Sequence, residues 1–145
     1  MDGNEYIDYL AGYGPIVMGY SHAPIDEAAD AQRQKGSAFN HPTSLAVELA
    51  EKMVDIIPAI DWVAFGKNGS DVTAYAMQTA REHTQRRKVL KAKGAYHGSQ
   101  SWCRHGIGGL IEADYEHVID FTWNDATQVD DLVKKYDNDV TAIMV

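Results

Sequence analysis

The chain of 145 residues is short of several things, and each shortage excludes something. Cys103 is the only cysteine, so no disulfide can close within the chain, which fits a reducing cytoplasm. No apolar run nears the roughly 18 residues that suggest a membrane span, so none is expected. The first stretch, MDGNEYIDYL, lacks the basic and apolar regions of a signal peptide. Positive charge is also scarce: 13 Lys and Arg against 21 Asp and Glu give a net charge of -8. That balance disfavours a nucleic-acid or anionic-membrane surface. The local cluster Arg86, Arg87, Lys88, Lys91 and Lys93 reads as a solvated face.

Enough apolar residues are present, at 45%, to build an ordinary globular core. Alternation over residues 6–11 predicts a strand or ribbon near a sheet edge, broken by Gly12, Gly14 and Pro15. Pro24 opens a helix that Gly36 suits as a cap. A second helix follows Pro42 and stops at Pro58, with Leu45, Leu49 and Met53 at helical spacing.

From there strands and helices alternate. Trp62 to Phe65 reads as a strand, residues 70–83 as a helix, Lys88 to Lys91 as a strand and HVIDFTW as another. Asn124 suits a helix cap, and the helix after it has Ala126, Val129, Val133 and Tyr136 as its inner face. The closing run VTAIMV has the character of a strand buried on both faces. This order predicts an α/β domain with a parallel or mixed sheet. The uncovered last strand suggests a piece of a longer protein.

The stretch GKNGSDVTAY puts a Gly-Ser turn between a strand-like run and a helix. A helix N-terminus offers unpaired N–H groups and partial positive charge, so Gly69 and Ser70 could bind an anion. A capped helix with no ligand fits the stretch equally well, since Asp71 could itself serve the dipole. The stretch is not a Walker loop, because Lys67 precedes Gly69, and no G-x-G-x-x-G follows a strand. A second turn, KGAYHGSQSW, presents Tyr96 and His97 between Gly94 and Gly98 after a strand, where α/β sheets gather ligands. Tyr96 there could stack on a flat ring or fill a packed corner. The six histidines are scattered without ligand spacing, so a metal site is not expected. Trp102, Arg104 and His105 read as loop residues, and Tyr115 and Trp123 as packing residues.

Taken in order, these motifs resemble the class III aminotransferases, which use pyridoxal 5'-phosphate (PLP). DGNEYIDYLAGYGPIVMGYSHAP looks like the family's opening strand and glycine-rich turn. KNGSDVTAYAMQTAREHTQRRKVLKAKGAYHG looks like its phosphate turn, helix, strand and aromatic-His-Gly turn. Gly-Tyr-Gly-Pro is most similar to the glutamate-1-semialdehyde 2,1-aminomutase branch.

The resemblance implies part of the large domain of the aspartate-aminotransferase fold (PLP fold type I). Residues 1–41 would be a small-domain segment and 42–145 the first part of the PLP-binding domain. It implies that Gly69 and Ser70 hold the cofactor phosphate, with Asn68 where the family usually has serine or threonine. Tyr96 matches the aromatic stacked on the pyridine ring, His97 flanks it, and Tyr13 matches a position near the substrate.

The chain departs from the family pattern in places. Asp71 and Val72 stand where Glu-Ala often follows Gly-Ser, and the stretch Gly19 to Pro24 is one residue longer. None of the eight lysines matches the Schiff-base lysine, which the family places beyond residue 145 with the aspartate that pairs with the ring nitrogen. No catalytic residue is therefore expected in this chain. The implied activity is transfer of an amino group between an amine and a carbonyl compound, by a cytoplasmic homodimer. The alternative is a non-catalytic α/β binding or assembly module that keeps the scaffold.

Overall fold

The computed structural model describes residues 2–103 and 108–145. The chain divides into two compact units, Met1–Val63 and Ala64–Val145.

The first unit is helical. After a 3-10 turn at Ala11–Tyr13 come α1 (Ala23–Arg33) and α2 (Ser44–Ile56). Pro24 sits in the first turn of α1, where a missing N–H costs nothing, and Arg33 lies at its negative end. Ahead of α1 within this unit, the Tyr20 hydroxyl donates to Asp8 Oδ2 at 2.6 Å and holds that carboxyl below the usual range. The strand expected over residues 6–11 does not form. Its alternation has no partner strand among the described residues, and Asp8 instead accepts from the Leu10 and Ala11 N–H groups to make a turn. The Trp62 to Phe65 run is likewise unpaired and irregular. An apolar run becomes a strand only where a ladder exists to take its N–H and C=O groups.

The second unit carries the sheet. It runs α3 (Gly69–Thr84), β1 (Lys88–Ala92), a 3-10 turn (Ser101–Cys103), α4 (Glu112–Tyr115), β2 (Val118–Phe121), α5 (Ala126–Lys135) and β3 (Val140–Met144). The order is β2-β1-β3, all parallel, with Lys91 opposite Asp120 and Met144. β1, in the middle, is therefore the most buried strand, with Val89 and Leu90 fully enclosed.

Side chains alternate across a strand. Leu90 and Ala92 face one way, join Phe121 and Val140, and are covered by Val129, Leu132 and Tyr136 from α5 and the residues just after it. Leu132 takes the place expected of Val133, which stays 38% exposed. The cap of α5 is Asp125, whose carboxylate accepts the Gln128 N–H at 2.9 Å; Asn124 precedes it in the left-handed region at φ 64. β3, an edge strand, has Ile143 49% exposed, in line with the uncovered strand that its sequence suggests.

Two further expectations change. Trp123 is an exposed residue beside a hollow of about 310 Å³ lined also by Asp125, Val129 and Ile143, not a packing residue. Lys91 does not lie on a solvated face. As a central-strand residue it is 3% exposed, with its ammonium 3.1 Å from Asp120 Oδ1. Its neighbours Arg87 and Lys88 pair with Asp139 at 2.9 and 3.5 Å. Arg104 and His105 lie outside the described residues.

Candidate functional site

Two turns meet at the carboxyl end of β1. One is the start of α3; the other is the loop that leaves the central strand. In parallel α/β sheets this end is where ligands collect.

Asn68 caps α3. Its side-chain oxygen accepts the Asp71 N–H at 3.1 Å, while the Asp71 carboxylate accepts the Lys67 N–H at 3.0 Å. Of the first-turn donors, the Asp71 N–H is thus consumed by the cap. No protein acceptor takes the Gly69 or Ser70 N–H among the described residues. A Cβ placed on Gly69 would meet nothing within 4 Å. The helix therefore opens onto space with two free donors and a partial positive charge behind them.

The second turn is fastened to this helix start. The Ser99 N–H donates to Ser70 Oγ at 2.9 Å, and the two serine hydroxyls lie 3.3 Å apart. The Thr73 hydroxyl, one turn along α3, donates to the His97 carbonyl at 2.8 Å. Gly98 lets the two segments approach: at φ +113, a Cβ there would fall 2.5 Å from Ser70 Oγ and 2.9 Å from Ser70 Cα. Behind the turn, Cys103 is buried, with its thiol 3.4 Å from the Gly98 carbonyl.

Asn68, Gly69, Ser70, Tyr96 and His97, all singled out in the sequence, line one hollow of about 430 Å³ together with Thr73, Gly98 and Ser99. That size lies within the roughly 300–1,000 Å³ of small-ligand sites. Tyr96 is 84% exposed, so it fills no packed corner; its ring stands available at the wall. His97 is half-buried, and its Nε2 is enclosed without a protein partner. Burial first, and then the charge of Lys91, hold its imidazole below the ordinary value.

Tyr13 belongs to the first unit, in the left-handed region at φ 65 and 89% exposed. Sequence reasoning missed Thr73, Ser99 and the Lys91–Asp120 pair. Thr73 carried a signal, because it lies one helical turn beyond Gly69. No group of three potential metal ligands occurs among the described residues, and no helix there is long and apolar enough to cross a membrane.

Anion donors at one side and an exposed aromatic at the other suit a flat ring carrying a phosphate. The free amides of Gly69 and Ser70, the open space over Gly69 and the exposed Tyr96 ring all fit such a group.

The comparisons with known proteins point the same way. The family model described as "Aminotransferase class-III" matches residues 1–145. The aminopentol aminotransferase of Sphingopyxis macrogoltabida is 44% identical over 142 residues, covering 98% of this chain and 34% of that protein. A glutamate-1-semialdehyde 2,1-aminomutase of Chloroherpeton thalassium is 32% identical, covering 100% of this chain and 37% of that protein. The solved PLP internal aldimine form of the FumI protein of Sphingopyxis sp. MTA144 superposes with a TM-score of 0.90 at 44% identity. It covers 97% of this chain and 34% of that one. The chain thus spans about a third of the length of the relatives it matches.

Proposed function

The chain belongs to the class-III aminotransferase family, and from that membership we propose that the whole protein transfers an amino group between an amine and a carbonyl compound with PLP as its cofactor. One observation carries the reading. The unpartnered Gly69 and Ser70 amides and the exposed Tyr96 ring line one hollow at the carboxyl end of the central strand.

When bound, the cofactor supplies an electron-accepting ring to the carbon that gains or loses the amino group. The residues of this chain hold and orient it. The N–H groups of Gly69 and Ser70, with the Ser70 hydroxyl, would donate to its phosphate. The partial positive charge of α3 stabilises the phosphate's negative charge. Asn68 acts one step back, since its side chain is spent on the cap and keeps the first turn in shape. Tyr96 would stack on the ring, and His97, whose imidazole is held below its ordinary value, would flank it without adding a cation to the wall.

Tyr13 is assigned to the substrate side, residues 1–41 to a small-domain segment and 42–145 to the first part of the PLP-binding domain. The Schiff-base lysine and the ring-nitrogen aspartate are assigned to the sequence beyond residue 145, so catalysis belongs to the whole protein. A cytoplasmic homodimer is the working assembly. The likeness to both an aminotransferase and an aminomutase supports the amino-transfer half-reaction that the two activities share.

The test is a PLP titration of the full-length protein followed by single-turnover assays with candidate amines. A visible absorbance band that each competent amine bleaches is the expected result. A protein that stays colourless with added PLP would sink the reading. Release of a keto product before a second substrate enters would mark a transaminase; return of the amino group to the same skeleton would mark an aminomutase.

A further inference from the structure

The Lys91–Asp120 pair lies outside the hollow, yet its ammonium reaches the start of the turn that forms one wall. β1 and β2 are in parallel register at this point, with Lys91 opposite Asp120, so both side chains leave the sheet on the same face, away from the α5-covered core. The Lys91 side chain is 4% exposed. Burying an ammonium is costly even when it is paired, and apolar replacements of buried ion pairs are often neutral or stabilising. Stability alone therefore does not account for a lysine here.

The ammonium's other neighbour supplies a reason. Lys91 Nζ lies 3.4 Å from the carbonyl of Ala92, the last residue of β1. The same carbonyl accepts the Ala95 N–H at 3.1 Å, closing the turn that delivers Tyr96. Thus Asp120 fixes Lys91, Lys91 and the Ala95 N–H converge on the Ala92 carbonyl, and Tyr96 and His97 follow at once. The far end of this turn is fastened to α3 by Thr73 and Ser70. At its near end the Lys93 N–H donates to the Phe121 carbonyl at 2.8 Å, and Lys91 adds a side-chain hold there, on the Ala92 carbonyl. The field of Lys91 also reaches the enclosed His97 imidazole.

We propose that Lys91, held by Asp120, is a positioning residue that fixes the Tyr96–His97 turn at the wall of the hollow. It acts through the Ala92 carbonyl and the turn, and touches no ligand itself. Its effect on PLP rests on the functional reading above; its effect on the turn does not.

The decisive variant is the double substitution Lys91→Met with Asp120→Leu in the full-length protein, which removes the buried ammonium and its half-buried partner charge at similar volume. Three measurements are made: thermal unfolding, amide hydrogen exchange, and PLP affinity by titration. Thermal unfolding near that of the parent, several-fold faster exchange confined to residues 94–99, and a Kd for PLP raised about tenfold are expected. The last is the scale of losing a supporting partner behind a ligand-binding group. Lys91→Arg, which keeps the cation, should recover most of the protection.

Unchanged exchange at 94–99 in the double variant would overturn the proposal, as would a speed-up spread evenly over β1, β2 and α5. Should the double variant fail to fold, Asp120→Asn carries the same exchange test, with the same two results overturning the proposal. A parent protein that binds no PLP would remove the functional reading while leaving the exchange result to decide the role of Lys91.

Discussion

Gly98 and Ser70 touch across the candidate site: a side chain on Gly98 would begin 2.5 Å from Ser70 Oγ, at a backbone φ of +113. Two constraints thus coincide at one glycine, a left-handed conformation and a missing Cβ. Gly98→Ala must either strain that backbone, at about 1–3 kcal/mol, or push the turn off the helix start. The expected outcome in the full-length protein is a lower unfolding temperature together with weaker PLP binding. Normal values of both would show that the two turns need not approach so closely.

Gly69 and Ser70 make a contrasting pair. Ser70→Ala removes a hydroxyl that also receives the Ser99 N–H. Loss of a hydrogen bond to a charged group costs about 1.5–3 kcal/mol, so PLP affinity should fall about tenfold to a hundredfold. Gly69→Ala meets no protein atom within 4 Å, so it should fold as the parent does. If the space over Gly69 receives the phosphate, that added methyl will nevertheless weaken PLP binding. Titration of both variants, with melting curves, checks the pair; normal PLP binding by the Gly69→Ala protein would place the phosphate elsewhere.

Asn68 is predicted to matter more for stability than for binding. Its side chain accepts the Asp71 N–H, and truncating such a cap costs about 1 kcal/mol. Asn68→Ala should lower the denaturation midpoint, whereas Asn68→Ser or Asn68→Asp should largely keep it. A loss of PLP binding far beyond the loss of stability would instead give the Asn68 amide a direct contact.

These residues were legible in the sequence because their signals are local. A helix that starts at Gly-Ser after a tight turn, and a Tyr-His pair between glycines, can be read within ten residues. The bonds that join the two turns could not be read: Ser70 and Ser99 are 29 residues apart and meet only because α3 returns to the end of β1. Lys91 shows the same limit more sharply. In sequence it belongs with Arg86, Arg87 and Lys88, and only the register with Asp120 makes it interior. The alternating stretch at residues 6–11 and the apolar run at 62–65 failed as strands for the converse reason, since pattern supplies a face but not a partner. The choice of Leu132 over Val133 in α5 turned on a single position of helix rotation, which the sheet decides.

Tyr96 provides a test of the ring-stacking role that is independent of the phosphate. The side chain is 84% exposed, so removing it leaves no cavity in the fold. Tyr96→Ala should keep the parent's unfolding temperature in the PLP-free protein and lose about 0.5–1.5 kcal/mol of PLP affinity, roughly threefold to tenfold. Tyr96→Phe keeps the ring and should bind nearly as the parent does. Equal binding by all three proteins would remove Tyr96 from the site.

His97 sets a pH dependence whose sign follows from its surroundings. Its enclosure, and then the charge of Lys91, make the protonated imidazole less favourable in the folded protein than in the unfolded chain, where the ordinary value is 6.5. Below about that pH the unfolded chain takes up the proton more readily than the native one. Stability from this residue is therefore fully present above pH 6.5 and lost as pH falls toward the native value, with no further loss beneath it. The measurement is the urea midpoint of the PLP-free full-length protein from about pH 8 to about pH 5, beside a His97→Gln variant that cannot titrate. The difference between the two should stay constant above about pH 7 and shift against the parent on acidification. A difference that moves the opposite way would mean that the imidazole has an acidic partner in the native protein and holds its proton there.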